Sequence, residues 1–244
     1  MFTCLRLAVV TALCVLVGSA HARIAPAQVC AQGPALYAAG QLKTAFRVFL
    51  ACAIDGDAAS SYSAAMMMRS GESNDDGEPN LFGSRVFLEQ SAAQGYTQAI
   101  YVLGKEYDVG SPAFRRDVSL ATELFRKAAL RGHVDAQVDL ATQYFLGRGG
   151  VPQDDGVAAY WYERAAMAGH WGAQYLIASM YEHGNGVGRD EVAALRWYER
   201  AQAGGDEVAP LKVEQLKGAG RDAMRGVKRS DANGHRDQRA VMTP

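Results

Sequence analysis

Trp161-Tyr162-Glu163-Arg164-Ala165-Ala166-Met167-Ala168-Gly169 returns 36 residues later as Trp197-Tyr198-Glu199-Arg200-Ala201-Gln202-Ala203-Gly204-Gly205. A weaker copy, Phe125-Arg126-Lys127-Ala128-Ala129, precedes it and ends at Gly132, with Gly95 one period earlier. Self-similarity at a fixed period of 37 or 36 residues marks a stack of supersecondary units, each burying its face only against its neighbours.

Working outward from the glycines, Ala99, Ala136 and Ala173 begin a second recurring phase of each unit. Leu103-Gly104, Leu140-Ala141 and Ile177-Ala178 follow, then Tyr107, Tyr144 and Tyr181. Apolar or small residues at i, i+4 and i+8 make one face of a helix, here called helix A. The small residue after Leu or Ile lets a neighbouring helix approach closely. Helix A stops at Val109-Gly110-Ser111-Pro112, Gly147-Arg148-Gly149-Gly150-Val151-Pro152 or Gly184-Asn185-Gly186-Val187-Gly188. Glycine supplies positive φ past a helix end and proline cannot continue the helix. Asp117, Asp154 or Asp155, and Asp190 then stand where an N-cap belongs. Helix B follows, with Leu124/Phe125, Trp161/Tyr162 and Trp197/Tyr198 filling the space between helices. No period-2 alternation predicts a strand.

Two less regular units precede these: Ala45, Phe49, Cys52, Ala53 and Gly56 carry helix B spacing, as do Ser84, Leu88, Ser91, Ala92 and Gly95. The acidic stretch Glu72, Asp75, Asp76 and Glu78 is the extra length between them. Asp206 to Lys217, with Val208, Leu211, Val213 and Leu216, reads as a helix capping the last open face.

The pattern Ala-x-x-x-Leu-Gly-x-x-Tyr, Gly-x-Gly-Val, then Asp and Ala-x-x-Trp-Tyr-x-x-Ala-Ala-x-x-Gly resembles Sel1-like repeats. Its best copies are 136–169 and 173–205, with 99–132 recognisable. The resemblance implies an all-α, TPR-like fold: a right-handed α/α superhelical solenoid of helical hairpins, with members serving as adaptors in bacterial envelopes or outside the cell. Gly110-Ser111-Pro112-Ala113 departs from the Gly-x-Gly-Val turn, so that unit's local shape is expected to differ.

The chain has 244 residues and a net charge of −1, so bulk electrostatics argue neither for nucleic acid nor for an anionic membrane. Arg6, an apolar run from Leu7 to Val17 and Ala20-His21-Ala22 read as a signal peptide over 1–22. The apolar run is too short to span a bilayer. Domain organisation is thus a signal peptide (1–22), a solenoid of about five hairpins plus a cap (23–217), and a disordered basic tail (218–244) with six Lys/Arg against three Asp. The expected location is periplasmic or secreted, with no membrane span after signal cleavage.

In an oxidising compartment the mature cysteines, Cys30 and Cys52, form a disulfide or stay as a buried and a loop thiol. Gly40 marks the first hairpin's turn and the two cysteines are nearly equidistant from it, which favours the bond.

Chemistry-bearing motifs are sparse. The sequence has no His-Glu-x-x-His, Cys-x-x-Cys, Gly-x-Ser-x-Gly or Ser-x-x-Lys. The last matters because a cysteine-rich branch of the resembled family is linked with penicillin binding. His133 and His170 each follow a repeat glycine and read as polar turn residues. Glu72 to Glu78 lacks the closing glutamate of a calcium loop. No cofactor or metal is expected.

What remains is surface. Off the buried stripe of helix A lie Tyr101 and Lys105, Val138 and Thr142, Tyr175 and Ser179, then Asp108, Phe145 and Glu182 one turn on. Exposed on a concave groove, Tyr101, Lys105, Thr142, Phe145, Tyr175 and Ser179 would anchor a protein partner. The other reading is ordinary packing between repeats. The favoured function is a non-enzymatic exported adaptor. The alternatives are an envelope hydrolase of the β-lactamase or penicillin-binding type, and a secreted effector binding host proteins.

Overall fold

The computed structural model describes residues 26–219. The signal sequence read over 1–22 and the tail from 220 onward lie outside the described residues. The described part is built of helices in adjacent antiparallel pairs: α1 (Pro26–Cys30) and α2 (Gln32–Ala38) with α3 (Leu42–Ile54); α4 (Ala58–Ser70) with α5 (Leu81–Ala93); α6 (Thr97–Val109) with α7 (Val118–Leu130); α8 (Val134–Leu146) with α9 (Asp155–Met167); α10 (Trp171–His183) with α11 (Glu191–Ala203). A final helix, α12, runs over 209–219. These are five A–B hairpins and a cap, an all-α solenoid.

The repeat glycines work by conformation. Gly56, Gly95, Gly132, Gly169 and Gly205 all have φ between 87° and 99°. In each turn the next residue's N–H reaches back to a helix B carbonyl: His133 to Ala128 and His170 to Ala165, both 3.1 Å, and Asp206 to Ala201 at 3.0 Å. This is a glycine-closed helix end. A side chain at Gly132 would meet nothing within 4 Å, so the left-handed backbone alone demands glycine there. Gly104 is glycine for a different reason: an added Cβ would sit 2.8 Å from the Phe125 ring.

The A-to-B turns differ in sequence but close on one point. Asp117 N–H donates to Tyr107 O at 2.8 Å; Asp154 to Tyr144 O and Asp190 to Tyr181 O do so at 2.9 Å. Each aspartate side chain then caps its helix B, so Asp154, not Asp155, is the cap of α9. The departing turn after α6 pairs Ser111 with Phe114 and buries Ala113 and Phe114. Arg85 covers the Phe114 ring at 5.1 Å and donates to Ala113 O.

The core follows the sequence stripe. Leu140, Ile177, Phe125 and Tyr198 are fully buried, with Trp161 and Tyr162 beside them. The cap buries Ala209 and Val213 but leaves Val208 and Leu211 exposed, because the inward face recurs at 209, 213 and 216. At the other end helix A is split at Ala31. Pro34 has no N–H to donate and falls in the first turn of α2, where donors are unpaired anyway. Cys30 and Cys52 are joined, with Cα atoms 5.8 Å apart.

Candidate partner-binding face

Successive A helices meet through side chains. Arg69 of α4 pairs with Glu106 of α6, and Lys105 of α6 with Asp139 of α8 at 3.2 Å. They form one face of the solenoid, and the residues four, six, ten and thirteen places after each repeat glycine have fixed roles on it. The fourth, Ala99, Ala136 or Ala173, is buried. The sixth, tenth and thirteenth point along the face, and the six residues expected there are all half-buried.

All but one of the partners lie in neighbouring helices. Tyr101 stacks on His133 with centroids 4.2 Å apart and tilts against Phe125. Thr142 Oγ1 lies 2.9 Å from Tyr162 Oη, and Tyr175 sits edge-on to Tyr198 at 5.2 Å. Phe145 packs against the core, and Ser179 accepts through its carbonyl from His183. Farther along, Arg148 reaches Asp108 at 3.2 Å and Gln143 at 3.0 Å; Glu182 accepts from Tyr198 at 2.7 Å and from Lys212 at 3.0 Å. In these repeats the face is bridged by the chain's own pairs, and the packing reading describes those contacts.

The electrostatics follow. Burial pushes the Tyr101 phenol above its ordinary range, with Asp139 and Asp135 adding to it. Burial also raises Tyr198, and its bond to Glu182 adds to that. Burial alone would raise Glu182, but hydrogen bonds from Tyr198 and Lys212 outweigh it and hold the carboxyl below the usual range.

One unit earlier the same three places are Tyr62, Met66 and Arg69. There they line a cavity of about 640 Å³ between α2 and α4, walled opposite by Pro34 and Tyr37 and floored by Phe49 and Met67. None of the six expected residues lines it. Tyr62 lines the cavity and tilts against Tyr96, with ring centroids 5.3 Å apart. Glu72 stands at the rim and accepts from Tyr37 Oη at 3.1 Å. A neighbouring cavity of about 580 Å³ shares Pro34, Phe49 and Ser63 and reaches the Cys30–Cys52 bond. The register was readable from the repeat; the cavity was not, because it depends on where the broken first helix stands.

The two histidines have a sharper role than turn filler. His133 Nδ1 accepts from Ala136 N–H at 3.2 Å, and His170 Nδ1 from Ala173 N–H at 3.0 Å, so both are N-caps of A helices. His133 Nε2 lies 2.8 Å from Gln98 Oε1, which fixes the neutral tautomer with hydrogen on Nε2. Burial lowers the His133 pKa. The signal was available: Asp57 and Asp206 hold the equivalent place after Gly56 and Gly205 and cap α4 and α12. Two carboxylates of the acidic loop are spent locally, Asp75 on Lys43 and Asp76 on the Glu78 N–H. No group of three or more metal-ligating side chains is present among the described residues. Nor is any helix among them long and apolar enough to cross a membrane.

The Sel1 repeat model matches residues 97–133, 134–170 and 171–206. Cytochrome c oxidase assembly factor 7 of Homo sapiens is 32% identical over 83 residues, covering 33% of this chain and 36% of that protein. The crystal structure of a protective antigen of uropathogenic Escherichia coli, displaying an SLR fold, superposes with TM-score 0.63 and 30% identity over 67% of this chain and 34% of that one. A Sel1 repeat protein from Oxalobacter formigenes gives 0.66 and 29% over 71% and 49%. The chain therefore spans about a third to a half of the length of these relatives.

Proposed function

Since residues 97–206 are three Sel1 repeats in a solenoid, we propose that the protein is a non-enzymatic scaffold that holds a protein partner against its A-helix face, outside the cytoplasm. The observation that carries this reading is the open cavity at Tyr62, Met66 and Arg69, in the register that the later repeats close with their own side chains. A half-formed surface of that kind, apolar at its centre and polar at its rim, is what a protein interface needs. The assembly-factor name of the human relative fits a scaffold. The disulfide supports an oxidising compartment, in keeping with the signal sequence read over 1–22.

The test is co-purification with the tagged full-length chain from the cells that make it, after mild cross-linking. A protein recovered with the wild type and lost with Tyr62→Ala/Met66→Ala, at unchanged melting temperature, supports the scaffold. Turnover of a chromogenic β-lactam by the purified chain would overturn it. Recovery from the periplasm or from the medium separates an envelope adaptor from a secreted effector.

A further inference from the structure

The rim of the cavity has unspent negative charge. Arg69 is tied to Glu106, and Lys43 to Asp75. Glu72 holds only the neutral Tyr37 hydroxyl among the described residues. Asp76, on the same loop, accepts from the Glu78 N–H and lines a separate groove with Lys43 and Arg47, so Glu72 is the carboxylate that the cavity itself presents. The interior is apolar and adaptable: Met66 and Met67 are unbranched and polarizable, and Phe49 and Tyr62 give flat walls. We infer that this cavity receives the apolar side chain of a partner segment that carries a lysine or arginine beside it, the cation pairing with Glu72.

This rests on the scaffold reading and names the chemistry of its partner. The volume, about 640 Å³, has room for one or two leucine-sized side chains. Charge complementarity decides the sign of the flanking residue: an incoming carboxylate would meet Glu72 and find Arg69 already paired. The later repeats give the contrast. Where Met66 and Arg69 stand here, the next repeat has Lys105 and Asp108 bridged to Asp139 and Arg148, leaving no comparable demand for a partner's charge. Ser63, on the cavity wall, spends its hydroxyl on Ala59 O in its own helix, so it is replaceable without breaking a tertiary contact.

The experiment is fluorescence anisotropy of the full-length chain with two short fluorescein-labelled peptides. One has two leucines flanked by lysines; the other has glutamates in place of the lysines. The wild type is expected to prefer the lysine peptide by about fivefold, the scale of one exposed ion pair, and Glu72→Lys to reverse that preference. Ser63→Trp fills the cavity and should abolish binding of both. If Ser63→Trp fails to fold, Glu72→Lys still decides. Three outcomes overturn the inference: no binding of either peptide, an unchanged preference in Glu72→Lys, or equal binding when glycine replaces both leucines. Binding of the lysine peptide only after removal of residues 220–244 would also overturn it, since the chain's own basic end would then be the occupant. Capture of a protein by Ser63→Trp in co-purification would leave the scaffold standing while this inference falls.

Discussion

The amino-terminal two hairpins and the three repeats over 97–206 share one register and treat it in opposite ways. In the regular repeats large aromatics fill the space between helices, and A-helix side chains off the core find partners in the chain itself, Lys105 with Asp139 of the next unit and Thr142 with Tyr162 of its own. In the first two units the B helices carry Cys52 and Ser91 where the regular repeats bury Ala128, Ala165 and Ala201, Leu88 stands at the aromatic place of the second unit, the first A helix is broken at Ala31, and a disulfide holds the end together. The regular part is stabilised by packing all along its length. The irregular part is stapled and leaves a cavity. A solenoid needs its neighbours' faces for stability, so the first hairpin, with one neighbour among the described residues, is where a cross-link adds most and where surface remains for another molecule.

The strongest way to break this contrast is to truncate matched aromatics. Phe125→Ala, at a fully buried site, should cost about 3–5 kcal/mol in urea or thermal unfolding. Phe49→Ala should cost less, because one side of that ring already faces cavities. Equal losses would mean the amino-terminal end is packed as the repeats are.

Next in size is the disulfide. Its loop has a sequence separation of 22, and removal by Cys30→Ala/Cys52→Ala should cost about 3 kcal/mol in the chain-entropy account. Hydrogen exchange should accelerate in α1 to α4 and stay unchanged in α8 to α11. A uniform acceleration would show that the hairpin staples the whole solenoid.

A smaller effect, about 1 kcal/mol, is expected for His133→Ala through the lost cap. The pH dependence has a definite sign. Burial depresses the His133 pKa, so the unfolded chain binds the proton more readily. Its contribution is fully present above the unfolded value near ~6.5 and is lost as pH falls through the lower folded value. His133→Asn keeps a cap that does not titrate, and its melting temperature should fall less between neutral and mildly acid buffer than that of the wild type.

The smallest effect is on the bridges. Arg148→Ala should change stability by about 0.5 kcal/mol or less, since its pair with Asp108 is partly exposed. A larger loss would make the polar ladder, and not the aromatic core, the agent that closes the regular face.

Much of this was legible in the residues. The glycine beat gave the hairpins, and the aspartates after each turn gave the helix B caps. The small residue after Leu103, Leu140 or Ile177 gave the close helix approach, and Gly40 gave the level of Cys30 and Cys52. What was not legible depends on neighbours. Tyr101 and Tyr175 lie on the face that their spacing indicates, but whether a half-buried tyrosine meets solvent is decided by side chains distant in sequence, His133 of the next unit for Tyr101 and Tyr198 of the same unit for Tyr175. The histidine caps went unseen because histidine is not a usual capping residue, although the aspartates in the same place pointed to them. The turn after α6 follows from Phe114, which enters the core only because the chain doubles back at Ser111.

The most direct test of the central claim is a photo-cross-linking map in the cells that make the protein. A benzoyl-phenylalanine is placed in turn at Tyr62 and Tyr37 on the cavity, at Tyr175 on the bridged face, and at exposed Phe82 on a B helix. The account predicts one protein adduct from positions 62 and 37, a weaker one or none from 175, and none from 82. Adducts from 82 with none from 62 and 37 would contradict it, placing the partner on the B-helix side and leaving the cavity without a role in binding.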